Sequence, residues 1–394
     1  MATIALVEGH FLRYRIMNEL QKIIEAFAAE KQSGKPAILA TIVNTKGSTY
    51  RKPGARMLIT SNGRMLGAFF GGCLENDVFE YSKQVMPGKP TLINYTEDDL
   101  VLGFDFGCKG LVQILLEHLE QKDESTHLDF IANCLRNRIT GVIATVFDVT
   151  GQTKVLRGDR LMLNHSHQVI NGIADFQLTS AILDDAQIAL ENGQSIVKSY
   201  PLSTGSVEVF IEVIEPPTPL IIFGAGHDAI PVASFAKQIG WHVTIVDPRN
   251  LDATAECFYM ADDVILTHLE SVHKYFSPHP QTVVVVMTHN YFHDQQLLKM
   301  LLPSCVRYLG VLGPKRRTVQ LLEELQADGT VYTEEQLLKL HSPVGLDIGA
   351  NTPEAIALSI IAEIQAVIAN RSAGFLKHRQ QPIHIDCYTS SLHI

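Results

Sequence analysis

The chain has 394 residues, 46% hydrophobic and 19% charged, with a formal net charge of -10. That balance describes a globular protein with a sizeable core and argues against disorder. An acidic surface repels a phosphate backbone, so nucleic acid is not an expected partner. No apolar run reaches the roughly 20 residues of a membrane-spanning helix, and Glu8 and Arg13 interrupt the N-terminal segment before it can read as an export signal. The cysteines Cys73, Cys108, Cys134, Cys257, Cys305 and Cys387 are scattered and include no C-x-x-C pair. Free thiols of this kind suit a reducing, cytoplasmic setting.

In chain order, Ile16, Leu20, Ile23, Ile24 and Phe27 recur at helical spacing and predict a helix over 10–33. A strand follows at 37–44, then a Gly/Pro loop, 46–54, carrying Lys46, Arg51 and Lys52. A hairpin is expected from 56–60 and 65–70, turned at Asn62-Gly63, because both turn residues tolerate positive φ. Gly71-Gly72-Cys73-Leu74-Glu75 leads into a helix, 91–95 reads as a strand, and Gly107-Cys108-Lys109-Gly110 precedes the apolar run 111–116. Residues 127–138 and 178–191 read as helices, and 142–149 and 207–214 as strands. No internal repeat is evident. Glu215-Pro216-Pro217-Thr218-Pro219 forms a stiff linker, since proline continues neither helix nor strand.

Beyond the linker the pattern alternates. Strands are expected at 220–223, 242–246, 263–266, 282–287 and 307–312, with helices at 293–302, 315–327 and 334–340, and a final helix opening at Thr352-Pro353-Glu354. Apolar runs such as Val283-Val284-Val285-Val286 belong in a parallel sheet covered on both faces. The expected fold is α/β, an N-terminal mixed α/β domain over 1–215 and a Rossmann-like doubly wound domain over 216–372, with a tail at 373–394.

Four groups of residues carry chemistry. Gly224-Ala225-Gly226-His227 follows a strand and opens a helix, and Asp247 ends the next strand. In such a layout the glycines make the turn and admit a phosphate, while the acid binds ribose hydroxyls. The same layout also serves a scaffold without a dinucleotide, and Asp228 inside the turn would repel pyrophosphate. His289 and His293, with Asp294, follow the fourth strand, where doubly wound sheets place ligands. They are candidates for proton transfer or metal binding. Lys315, Arg316 and Arg317 begin a helix after Gly313-Pro314 and form a candidate anion seat. Cys73 and Cys108, the latter beside Lys109, adjoin glycines that permit close approach of a ligand, and a thiolate near Lys109 or Arg51 is a candidate soft ligand.

The ordered segments Gly71-Gly72-Cys73-Leu74-Glu75, Phe223-Gly224-Ala225-Gly226-His227, Val246-Asp247-Pro248-Arg249, Met287-Thr288-His289, Leu312-Gly313-Pro314-Lys315-Arg316-Arg317 and Gly345–Ala357 resemble the XdhC/CoxI family. That resemblance implies an accessory protein, a chaperone for molybdenum hydroxylases of the xanthine dehydrogenase type, and a maturation factor rather than a catalyst. It implies transient binding of molybdenum cofactor (molybdopterin) and its delivery to the hydroxylase. A sulfurtransferase partner and a homodimer are implied as well. On this reading Cys73 or Cys108 lies near molybdenum, Lys109 helps hold the anionic cofactor, and His289 bonds an oxo group or the pterin. The phosphate rests on Lys315, Arg316 and Arg317 or on the turn of Gly224 and Gly226. The sequence departs from the family at Lys109 and Asp228. The rival expectation is an NAD(P)-dependent oxidoreductase using the Rossmann domain, with a metal-dependent hydrolase on His289, His293 and Asp294 as another.

Overall fold

The computed structural model describes residues 19–47, 49–69, 73–96, 110–119, 127–166, 168–247 and 254–380, and, of Cys73, Gly110, Thr254 and Ala255, the backbone only. The described residues within 19–216 and those within 217–375 fall into two separate compact units.

The first unit opens with α1 (Glu19–Gln32), β1 (Ala37–Gly47), β2 (Arg56–Thr60), β3 (Met65–Leu66), α2 (Cys73–Ser82), β4 (Thr91–Tyr95) and β5 (Gly110–Leu119). It continues with α3 (His127–Asn137), β6 (Gly141–Gly151), β7 (Arg160–Asn164), β8 (Val169–Asn171), α4 (Phe176–Asn192), β9 (Ile196–Leu202) and β10 (Gly205–Ile214). The strands form two antiparallel sheets, ordered β3-β2-β1-β5-β4 and β8-β7-β6-β10-β9.

The two halves have one topology, so the expectation of no internal repeat is corrected. Ala37–Thr60 aligns with Gly141–Asn164 without a gap, matching Thr41 with Thr145, Gly47 with Gly151, Gly54 with Gly158 and Arg56 with Arg160. Each long central strand bulges at its seventh residue, Val43 in one and Phe147 in the other, where the pairing with β5 or β10 slips. The hydrogen bonds around the bulges match too. Ile42 donates to Ala55 O and Gly54 to Ile42 O, just as Val146 donates to Asp159 O and Gly158 to Val146 O. The repeat is hard to see in the sequence because few side chains are shared; what persists are two glycines, an arginine, an alanine, two threonines and a backbone bulge.

The pleat explains why β1 and β6 read as continuous apolar runs rather than alternating ones. Ala40 and Ile42 face the cluster containing α2 residues Leu74 and Val78, while Leu39 and Val43 face clusters shared with the other sheet. In β6, Val142, Ala144 and Val146 meet α4, and Ile143 and Phe147 turn the other way. Both strands are covered on both faces. Strands β7, β8 and β9 were not anticipated from the sequence.

The second unit holds β11 (Pro219–Phe223), α5 (Ala229–Gln238), β12 (His242–Asp247), α6 (Thr254–Cys257), β13 (Asp263–Leu266), β14 (Val283–Val286), α7 (Tyr291–Leu301), β15 (Tyr308–Val311), α8 (Lys315–Ala327), α9 (Glu334–Leu338), β16 (Leu340–His341) and α10 (Pro353–Ile368). Its sheet is parallel, in the order β13-β12-β11-β14-β15-β16. That is the doubly wound Rossmann order, with the crossover between β11 and β14. Val283 and Val285 pack toward α5 and α10, and Val284 and Val286 toward α7 and α8. The helix expected over 334–340 stops at Leu338, because Leu340 and His341 pair with Leu309 and Gly310 as the edge strand.

Candidate functional site

The loops after β11, β14 and β15 lie side by side at the carboxyl edge of the parallel sheet, where this architecture places ligands. Gly224 follows β11 at φ 111°, and its N–H donates to Val246 O at 2.9 Å. A Cβ at Gly224 would lie 2.3 Å from Met287 O, so the turn needs glycine to pass the end of β14.

The turn then meets the histidine loop. Asp228 stands at the start of α5 but makes no side-chain cap. Its Oδ2 instead lies 2.8 Å from His289 Nε2, which donates to it. His289 has φ 56°, a left-handed conformation uncommon outside glycine. Next to it, Asn290 caps α7 by accepting from the N–H groups of Phe292 and His293.

A third link reaches α8. Asp294 is 2% exposed; it accepts from Thr288 Oγ1 at 2.5 Å and from Arg317 Nη2 at 2.6 Å. The Arg317 guanidinium also lies 5.4 Å from the Tyr291 ring centre, a cation–π contact. Lys315 and Arg316 are exposed at the helix start, where Pro314 supplies no side-chain cap. A fourth segment joins the edge. Val344 N donates to Val311 O, Thr318 and Ser342 share a hydroxyl bond of 2.6 Å, and Ser359 Oγ donates to Leu346 O.

The structure therefore brings Gly224, Gly226, His289 and the Lys315-Arg316-Arg317 segment to one edge. Arg317 is engaged by Asp294 and Tyr291. His227 is exposed. Asp247 is fully buried and already bonded, so it is not displayed at the surface of the edge. Nor do His289, His293 and Asp294 assemble as a metal triad, because Asp228 holds the first, and Thr288 and Arg317 occupy the last. Among the described residues no group of three or more His, Cys, Asp or Glu is placed to hold a metal.

In the first unit, Cys73 begins α2, but its side chain lies outside what is described, as do Cys108 and Lys109. Arg51 donates to Glu19 at 2.8 and 3.1 Å and to Ala68 O at 3.1 Å, so its charge is already paired. Thr288 and Ser342 were not among the candidate site residues of the sequence reading; Thr288 bonds Asp294 on α7, and Ser342 bonds Thr318 on α8. A hydroxyl side chain next to a strand end was their only signal.

Comparison with known proteins accords with these segments. The family model for the XdhC Rossmann domain matches residues 220–364, and that for the XdhC and CoxI family matches residues 31–96. The chain is 33% identical to a probable xanthine dehydrogenase subunit of Bacillus subtilis, over 88% of this chain and 97% of that protein. It is 23% identical to the molybdenum cofactor insertion chaperone PaoD of Escherichia coli, over 88% of each chain. A crystal structure of a xanthine dehydrogenase from Bacillus halodurans superposes with a TM-score of 0.72 at 28% identity, covering 91% of this chain and 98% of that one. With both characteristic segments in order and a relative matched along nearly its whole length, the chain belongs to the XdhC and CoxI family.

Proposed function

We propose that this protein is a maturation factor that binds molybdenum cofactor and delivers it to a molybdenum hydroxylase of the xanthine dehydrogenase type. The observation that carries the reading is the start of α8. Two exposed cations, Lys315 and Arg316, flank backbone N–H groups that no side chain caps, beside Gly313 at φ 131°. Cations there gain nothing from the helix dipole, and the arrangement fits the phosphate of an anionic pterin. The turn of Gly224 and Gly226 fits a phosphate poorly, because a carboxylate lies over it. Arg317 positions the helix start through Asp294 rather than meeting the ligand.

When bound, the cofactor supplies the molybdenum centre of the client enzyme. This chain's part is to hold the anionic group at α8, with His289 and His227 as polar contacts at the same edge. Cys73 and Cys108, with Lys109, remain the candidate contacts in the first unit. The protein acts in the cytoplasm as a homodimer, and a sulfurtransferase is its second partner on this reading. The rival NAD(P)-dependent oxidoreductase requires pyrophosphate on the turn that Asp228 occupies.

The test is anaerobic purification from a cofactor-producing host, followed by oxidation and a fluorescence assay for the pterin. Wild-type protein should carry pterin, and Lys315→Ala/Arg316→Ala protein should carry much less. Cys73→Ser/Cys108→Ser protein should also retain less. Wild type without pterin, unable to restore activity to the apo-hydroxylase, would overturn the proposal.

A further inference from the structure

The glycine turn of the C-terminal unit has the backbone of a phosphate site but not its open space. In a dinucleotide-binding turn, the second glycine lacks a side chain so that a pyrophosphate can approach the backbone. Here the room made by Gly226 is taken from within. A Cβ at Gly226 would lie 2.4 Å from Asp228 Oδ1 and 3.7 Å from His289 Cδ2.

One side-chain contact holds that carboxylate in place, and its position at the helix start favours its charge. It is one residue ahead of α5, where the helix dipole favours a negative charge, and so the helix already has its anion. His289 Nε2 grips Oδ2 at 2.8 Å. The His289 ring in turn is fixed by a left-handed backbone at φ 56°, in a loop tied down by Thr288 to Asp294 and by the close passage of Gly224 past Met287. A strained non-glycine conformation persists only where its surroundings impose it.

We infer that Asp228, held by His289, is a specificity-determining residue that closes the Gly224–Gly226 turn to pyrophosphate-bearing ligands. A phosphate entering the turn would meet a like charge at van der Waals range, and displacing the carboxylate would break its bond to His289. The C-terminal unit keeps the Rossmann architecture, therefore, while refusing the nucleotides that architecture usually takes. This inference stands on the turn alone and holds whichever ligand the α8 edge receives.

The experiment uses the full chain and measures binding of inorganic pyrophosphate and of NAD by titration calorimetry, in wild type, Asp228→Ala and Asp228→Asn. The asparagine keeps the shape and removes the charge, so it covers the case in which the alanine variant fails to fold. Either folded variant should bind both probes at least about tenfold more tightly than wild type. Wild type that already binds NAD in the micromolar range would overturn the inference. So would two folded variants whose affinities stay within about threefold of wild type.

Discussion

Arg56 on β2 donates through Nη1 to Glu212 on β10 at 2.7 Å, and a second bond joins Nη2 to the other carboxylate oxygen. The same relationship runs the other way as well. Arg160 on β7, the repeat counterpart of Arg56, donates to Glu117 on β5 at 2.5 Å. Each half of the duplicated unit thus supplies the arginine that closes on the other half's glutamate. Breaking one member strands a charge in a site where the side chains are 4% and 10% exposed. Arg56→Met alone should cost about 3–5 kcal/mol, and Arg56→Met/Glu212→Leu should recover most of the loss. Urea unfolding of the four proteins of that cycle measures it.

Gly224→Ala should destabilise the C-terminal unit by about 2 kcal/mol or more, since it combines a left-handed backbone with a carbonyl in the way of the methyl group. The change is confined to the crossover between β11 and β14. Thermal unfolding should show the loss, and Gly329→Ala is the control, because no atom lies within 4 Å of a Cβ there although its φ is also positive. The difference between the two isolates the collision with Met287 O from the backbone preference.

Asp294→Ala should leave the partly buried guanidinium of Arg317 without its carboxylate and Thr288 without its acceptor, a loss of about 2–3 kcal/mol. Lys315→Ala, at an exposed position, should alter stability by no more than about 0.5 kcal/mol. Cofactor content should fall in both. Chemical denaturation set beside pterin content therefore separates a residue that builds the helix start from one that meets the ligand.

His127 gives a pH dependence. Burial, and then the charges of Arg160 and Arg56, hold its imidazole well below the ordinary value of 6.5. Its Nε2 has no hydrogen-bond partner among the described residues. Below pH 6.5 the unfolded chain takes up a proton that the folded chain refuses, so stability falls as pH falls. The slope from this group is about 1.4 kcal/mol per pH unit until the folded-state value is reached. His127→Gln should flatten that part of the curve, as read by denaturant midpoints between about pH 7 and pH 5. A variant with an unchanged slope would assign the effect to other groups.

The C-terminal unit was the more legible in the sequence because its signals are local. Val283–Val286 alternate between two helical layers, Gly224 follows a strand directly, and Thr352 and Pro353 mark the start of α10 at sight. The first unit was less so. Strands β7 to β9 alternate weakly, and the repeat is carried by Gly47, Gly54 and Arg56 with their counterparts, whose meaning lies in bulges and crossed ion pairs rather than in periodicity.

For the candidate site, the sequence by itself determined which segments meet, since strand order in a doubly wound sheet places the loops after β11, β14 and β15 together. It also determined that the α8 start is cationic. Only the tertiary structure decided what each charge does. Asp228 and His289 are remote in the chain, as are Asp294 and Arg317, and a charge is free or spent according to its partner in space. That is why the glycine turn, read alone as a phosphate cradle, holds a carboxylate, and why Lys315 and Arg316 stay exposed while Arg317 is engaged by Asp294.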